Sequence, residues 1–213
     1  AADFASSCAD PAPLEGMTVN NVYNIMIVGV GGQGSLLASR ILGSVYMSKG
    51  LDVKVSEVHG MSQRGGSVVT YVRAGDKVES PLVPAGEADL LISFEELEAL
   101  RWVHYLKKGG TVAVNTQQIY PMPVITGAAK YPDGIIGRIM ESGVKCIAID
   151  AASIAAEAGN QKASNVALLG AASGITGVDQ SVWEEAIRQT VPANFVDVNM
   201  KAFALGKAAA DKI

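Results

Sequence analysis

The run Val28-Gly29-Val30-Gly31-Gly32-Gln33-Gly34-Ser35 closes an apolar, partly β-branched stretch that begins at Val22, and it leads into a segment with apolar residues at Leu36, Leu37, Ile41, Leu42 and Val45. The first stretch has the composition of a buried strand, and the second has the 3.6-residue spacing of a helix that stops at Gly50. Between them the glycines form a turn in which backbone N–H groups and the positive end of the helix are placed to hold a phosphate. Strand, glycine turn and helix together predict a Rossmann-like α/β unit.

Working outward, the same alternation continues. Strands are expected at Val53–Val58, Ser67–Arg73, Asp89–Phe94, Thr111–Asn115 and Val144–Ile149, and helices at Glu95–Leu106, Gly134–Ser142 and from an Asp150 cap to Ala158. Lys107, Lys108 and Gly109 read as the end of the second helix, and Gln117–Pro123 as irregular chain. From Lys162 onward the pattern is helical, over about Ala163–Ala172, Asp179–Gln189 and Asn194–Ala210. The expected fold is α/β, a mostly parallel sheet with helices on both faces and a helical C-terminal end.

Composition bounds the function. A chain of 213 residues with 49% hydrophobic residues supports one substantial core. Residues 1–16 read as an extension or tag-like tail, with Met17 as a candidate start, and 17–213 as one domain. No apolar run reaches the roughly 18 to 20 residues of a membrane span, and a net charge of −4 provides no basic field for nucleic acid. The two cysteines, Cys8 and Cys146, suit a reducing cytoplasm and are too few to hold an iron–sulfur cluster or structural zinc. No metal site is expected, since Glu95, Glu96 and Glu98 have no His or Cys at ligand spacing.

Gly29, Gly31 and Gly34 satisfy G-x-G-x-x-G, and Glu57 stands where a ribose-binding acid would, so an NAD or NADP module is one reading. Tight strand–helix packing without a cofactor is another. A third is a backbone cradle for a different phosphate ligand, built by Gly31, Gly32, Gln33, Gly34 and Ser35, with Arg40 adding charge further along the helix. The second motif, Glu57-Val58-His59-Gly60-Met61-Ser62-Gln63-Arg64-Gly65-Gly66-Ser67, sets a guanidinium beside two glycines at the sheet edge where ligands of open α/β folds collect. Arg64 is suited to a carboxylate, a phosphate or a partner's acid. His59 reads as a hydrogen-bonded loop histidine, His104 as structural, and Asn165 as a cap or an amide aimed at a ligand.

Gly29–Gly34, Glu57–Gly66, Ser93-Phe94-Glu95-Glu96-Leu97-Glu98-Ala99-Leu100 and Asn165-Val166-Ala167-Leu168-Leu169-Gly170 together resemble the gamma-type domain of 2-oxoacid:ferredoxin oxidoreductases, over about Val22 to the C-terminus. The resemblance implies oxidative decarboxylation of an aryl pyruvate such as indolepyruvate, with CoA and oxidised ferredoxin giving aryl-acetyl-CoA, carbon dioxide and reduced ferredoxin. It implies a large alpha subunit that carries thiamine diphosphate, Mg and [4Fe–4S] clusters and passes electrons to ferredoxin, so that this chain alone is inactive. It places Gly31 to Ser35 and Arg40 as candidate CoA phosphate contacts. His59, Ser62, Gln63, Arg64, Gly65, Gly66 and Asn165 become candidate substrate or partner contacts. A hetero-oligomer is expected, or a homodimer when the chain is isolated. The rival readings are a stand-alone nucleotide-binding regulatory module and a gamma subunit for another 2-oxoacid such as 2-oxoglutarate.

Overall fold

The computed structural model describes residues 22–57 and 66–213. The expected tail and Met17 lie outside that range. Strand β1 (Tyr23–Val30) feeds the glycine turn and helix α1 (Ser35–Ser48). Strands β2 (Asp52–Glu57) and β3 (Ser67–Gly75) follow, then β4 (Ala88–Ser93), α2 (Glu96–Trp102) and β5 (Leu106–Asn115). The chain continues through α3 (Met122–Ile125), α4 (Ile135–Glu141), β6 (Lys145–Ile149), α5 (Ala151–Ala158), α6 (Ser164–Ser173), α7 (Gln180–Thr190) and α8 (Val196–Ala210).

Among the described residues the strands form one six-stranded sheet in the order β2-β3-β1-β4-β5-β6. β1, β4, β5 and β6 pair in parallel, whereas β3 runs antiparallel to both β1 and β2. β2 therefore points the same way as β1, and five strands end on one edge. β1 is buried on both sides, as its unbroken apolar run requires. Ile25 and Ile27 face a core with Ile41, Leu42, Leu168, Trp183 and Phe203, while Met26 and Val28 face a second core with Ala99, Ile135 and Ile139. Helices α1 and α5 to α8 cover the first face, and α2 and α4 the second.

Two local expectations are corrected. The second helix ends at Trp102; a single 3-10 turn (Val103–Tyr105) follows, and β5 already begins at Leu106. Lys107 and Lys108 therefore lie on a strand rather than at a helix end, and the Lys107 ammonium pairs with Asp89. The Gln117–Pro123 stretch is not wholly irregular, because α3 starts at Met122. Asp150 caps α5 as expected, its carboxylate accepting from Ser153 N–H at 2.9 Å.

Helices α6 and α8 approach closely enough for backbone contact. A β-carbon on Gly206 would lie 2.7 Å from the carbonyl carbon of Ala167, and one on Gly170 would lie 2.9 Å from that of Phe203. Only glycine fits at these two crossing points. α6 is buried from Asn165 through Ser173, so it acts as a fixed central rod. Its first turn reaches the glycine turn.

Candidate functional site at the carboxyl edge of the sheet

The glycine turn sits where β1 ends, at the edge shared by the carboxyl ends of the parallel strands. Gly32 has φ 98° and Gly34 φ 86°, left-handed values that favour glycine. Gly34 is also the residue that opens α1, with no side chain capping the helix. Among the described residues, the first-turn N–H groups of α1 thus lack a side-chain acceptor, the local chemistry that favours an anion. Gly32 is exposed and a β-carbon there would meet none of the described residues.

Gln33 does not project from the turn. Its Oε1 accepts from Val30 N–H at 2.7 Å, and its Nε2 donates to the Phe94 carbonyl at 2.9 Å and to Gln117 Oε1 at 3.2 Å. The amide is folded beneath the turn, where a β-carbon on Gly29 would come within 2.8 Å of it. Gln33 therefore fastens β1 to the end of β4, so the side-chain phosphate contact expected of it is replaced by a framework role. Asn165 has a similar one: its Nδ2 donates to the Gly34 carbonyl at 3.1 Å, and its Oδ1 accepts from Val166 N–H at 2.9 Å. It neither caps by the usual geometry nor presents its amide to solvent, being 3% exposed.

The described end of the second motif meets the first. Gly31 N–H donates to the Gly66 carbonyl at 2.9 Å, so the chain returning into β3 lies against the turn. His59, Ser62, Gln63, Arg64 and Gly65 fall outside the described residues. Glu57, the last residue of β2, accepts from Ser39 Oγ at 2.7 Å, tying the β2 end to α1. Ser35 begins α1 beside the turn. Arg40 is exposed more than a helical turn further on and lines a groove between α1 and β2. It is not brought to the glycine turn.

A polar network missing from the sequence reading lies on the other side of β1. Glu95 and Glu98 are 1% and 4% exposed. Glu95 is itself the cap of α2: its carboxylate accepts from Glu98 N–H at 2.8 Å, Ile119 N–H at 3.1 Å and the Tyr131 hydroxyl at 2.5 Å. Burial, and then that hydrogen bond, hold the Tyr131 phenol above its ordinary range. Glu98 accepts from Ser67 Oγ at 2.5 Å and from Arg101 Nη1 at 2.9 Å. These donors compensate the burial of two carboxylates. Glu95, Glu98, Ser67 and Arg101 line a cavity of about 240 Å³ with Val30 and Gly66. The available signal was Ser67 following directly on Gly66, and three acids within one short helix start; the pairing across β1, β3 and β4 needed the strand order.

Among the described residues, no group of three or more His, Cys, Asp or Glu side chains is arranged to hold a metal ion, and no helix is long and apolar enough to cross a membrane. Burial pushes the Cys146 thiol up to about 11, away from reactive thiolate chemistry. His104 packs against Trp102 and Tyr105, with ring centroids 6.4 and 4.9 Å away.

The family model for pyruvate ferredoxin/flavodoxin oxidoreductase matches residues 24–209. Indolepyruvate oxidoreductase subunit IorB of Pyrococcus horikoshii is 50% identical over 196 residues, covering 90% of this chain and 97% of its own; the Archaeoglobus fulgidus protein of that name is 44% identical over 187 residues, covering 86% and 92%. Among solved structures, the gamma subunit of a keto/oxoacid ferredoxin oxidoreductase from Geobacter sulfurreducens is similar at 27% identity and a TM-score of 0.67, over 90% of this chain and 99% of that one. A 2-oxoglutarate:ferredoxin oxidoreductase from Magnetococcus marinus shares the fold at 21% identity and a TM-score of 0.68, with 90% of this chain covering 31% of that longer one.

Proposed function

Because this chain belongs to the pyruvate ferredoxin/flavodoxin oxidoreductase family, we propose that it is the smaller, gamma-type subunit of an indolepyruvate oxidoreductase, acting in the oxidative decarboxylation of aryl pyruvates to aryl-acetyl-CoA with reduction of ferredoxin. The carrying observation is near-complete coverage in both directions, 90% of this chain and 97% of the relative at 50% identity.

The redox chemistry belongs to a larger partner. Two cysteines are too few to ligate a [4Fe–4S] cluster; in this reading, as the family resemblance implies, thiamine diphosphate, its magnesium and the clusters belong to a large alpha subunit, and this chain is inactive without it. What this chain contributes is a rigid edge. The first turn of α1 and the exposed Gly32 supply N–H donors for a CoA phosphate, and Gln33, Asn165 and the Gly31–Gly66 hydrogen bond support that role by holding the turn in one shape. In the same reading the Arg64 guanidinium serves a partner acid or the substrate carboxylate.

A tagged chain expressed with the large subunit should recover it at a fixed ratio. In that complex Arg64→Ala should lower turnover without unfolding the chain. Failure of the wild-type chain to capture the large subunit would refute the subunit assignment, and full activity in the Arg64→Ala complex would remove the role given to Arg64.

A further inference from the structure

Two flanks lead away from the glycine turn, and they differ in charge. Toward β2 a ligand would meet Glu57, whose carboxylate accepts from the Ser39 hydroxyl at 2.7 Å. That acid repels a second phosphate. Toward the helical layer lies a cavity of about 140 Å³, lined by Leu37, Val191 and Phe195 and by the polar Asn160, Lys162 and Asn199. A mostly apolar pocket with a few fixed polar groups is the usual form of a small-molecule site.

The cavity adjoins the turn through two connections. Leu37 stands three residues after Gly34, so roughly 5 Å of helix separates the cavity wall from the turn. On the opposite wall, the 3-10 turn Gln161–Ala163 runs directly into α6, whose Asn165 donates to the Gly34 carbonyl at 3.1 Å. A ligand with its phosphate on the α1 N–H groups therefore reaches this cavity without crossing the protein.

The polar groups are only partly used. Asn199 is 7% exposed, and its Nδ2 donates to the Phe195 carbonyl at 2.8 Å, while its Oδ1 accepts from no described residue. An acceptor on so buried a side chain calls for a donor from a guest. Asn160 Oδ1 accepts from Lys162 N–H at 3.0 Å, which fixes the amide and leaves its Nδ2 free to donate. The Lys162 ammonium takes part in none of the ion pairs among the described residues.

Size and chemistry select a flat guest. An apolar cavity of about 150 Å³ holds one benzene ring, and here Phe195, 43% exposed, leaves one side open for a sugar to project. The guest needs an aromatic face for Phe195, an amino donor for Asn199, a ring acceptor for Asn160 and an anionic group near Lys162. Adenine on a phosphorylated ribose has all four. We infer that this cavity seats the adenine ring of the CoA whose diphosphate lies on the glycine turn, with Lys162 pairing the 3′-phosphate. The identity of the nucleotide rests on the function proposed above, and its seat rests on the cavity.

In the complex with the large subunit, Phe195→Ala should raise the KM for CoA roughly 5- to 150-fold, the effect of removing one base–aromatic stack, with the KM for the 2-oxoacid unmoved. Lys162→Ala should raise it about 2- to 5-fold and leave the KM for dephospho-CoA, which has no 3′-phosphate, at the wild-type value. Calorimetric titration of the full chain with adenosine 3′,5′-bisphosphate reads the same site without turnover, and both variants should bind more weakly. CoA-dependent turnover whose KM for CoA ignores both substitutions would overturn the adenine site and leave the subunit reading standing. Binding of adenosine 3′,5′-bisphosphate that depends on Phe195, in a chain that forms no active complex, would uphold the site and overturn that reading instead.

Discussion

Replacing Gly206 by alanine tests how the helical layer supports the site. The new β-carbon would lie 2.7 Å from the Ala167 carbonyl carbon and 3.0 Å from its Cα. Relief requires the α6 and α8 backbones to separate by on the order of 1 Å, since carbon atoms rest at about 3.5–4.0 Å. No side chain can rotate away, because the opposing atoms are backbone, and α6 is buried over most of its length. Overpacking of this kind costs about 1–3 kcal/mol, and a rigid backbone clash belongs at the upper end. The better helix propensity of alanine returns about 1 kcal/mol. The net expectation is a loss of roughly 2 kcal/mol, or a fall in Tm of about 4–8 °C for a domain of this size. Gly170→Ala should behave alike, its β-carbon meeting Phe203 from the other helix. A second effect follows at the site, because a shift of α6 stretches the 3.1 Å bond from Asn165 to the Gly34 carbonyl. Calorimetry and urea unfolding read the first effect, and the KM for CoA in the assembled enzyme reads the second. A Gly206→Ala chain with wild-type or higher Tm would refute the reasoning.

Three further outcomes are expected. Gln33→Ala leaves the Val30 amide and one acceptor site on Phe94 without that partner, so stability should fall by about 1–3 kcal/mol in urea unfolding, and turnover in the complex should fall with it. In a Cys8→Ser background, Cys146, with its thiol pushed up to about 11, should react with a maleimide at pH 8 on the order of 100-fold more slowly than free cysteine, accelerating as the pH climbs toward that value; labelling at the free-cysteine rate would contradict the half-buried setting of Cys146. Asp150→Ala should cost about 1 kcal/mol at neutral pH through the lost cap. The Ser153 hydroxyl, followed by its amide, holds the Asp150 carboxyl below its usual range, so the cap's contribution is present above the unfolded carboxylate value of about 3.9 and fades as the pH drops below it. The wild-type advantage should therefore shrink in acid unfolding curves.

The parts of the fold legible in the sequence were those set by local chemistry. The β1–turn–α1 unit, the Asp150 cap and the helical run after Lys162 follow from apolar period, capping residues and glycine stops. The antiparallel course of β3 was not legible, since its Val-Thr-Tyr composition suits either direction, and neither was the early start of β5 at Leu106, where Lys107, Lys108 and two glycines mimic a helix end. At the site, the glycine turn was legible because left-handed backbone needs glycine. The roles of Gln33 and Asn165 were not: a glutamine in a glycine loop looks equally fit to bind a ligand or to bond the neighbouring strand, and only the place of Phe94 and Gly34 in space decides. Glu95 and Glu98 read as ordinary first-turn acids because their partners, Tyr131 and Ser67, lie 36 and 31 residues away in the chain.

The central claim, that this chain is one half of an aryl-pyruvate oxidoreductase, is tested most directly by anaerobic reduction of ferredoxin with indolepyruvate and CoA. The assay compares this chain, the large subunit and the co-expressed pair. The account predicts activity in the pair alone, with indolepyruvate preferred over pyruvate and 2-oxoglutarate. Full activity of the large subunit by itself, or a pair that turns over pyruvate or 2-oxoglutarate but not indolepyruvate, would contradict it.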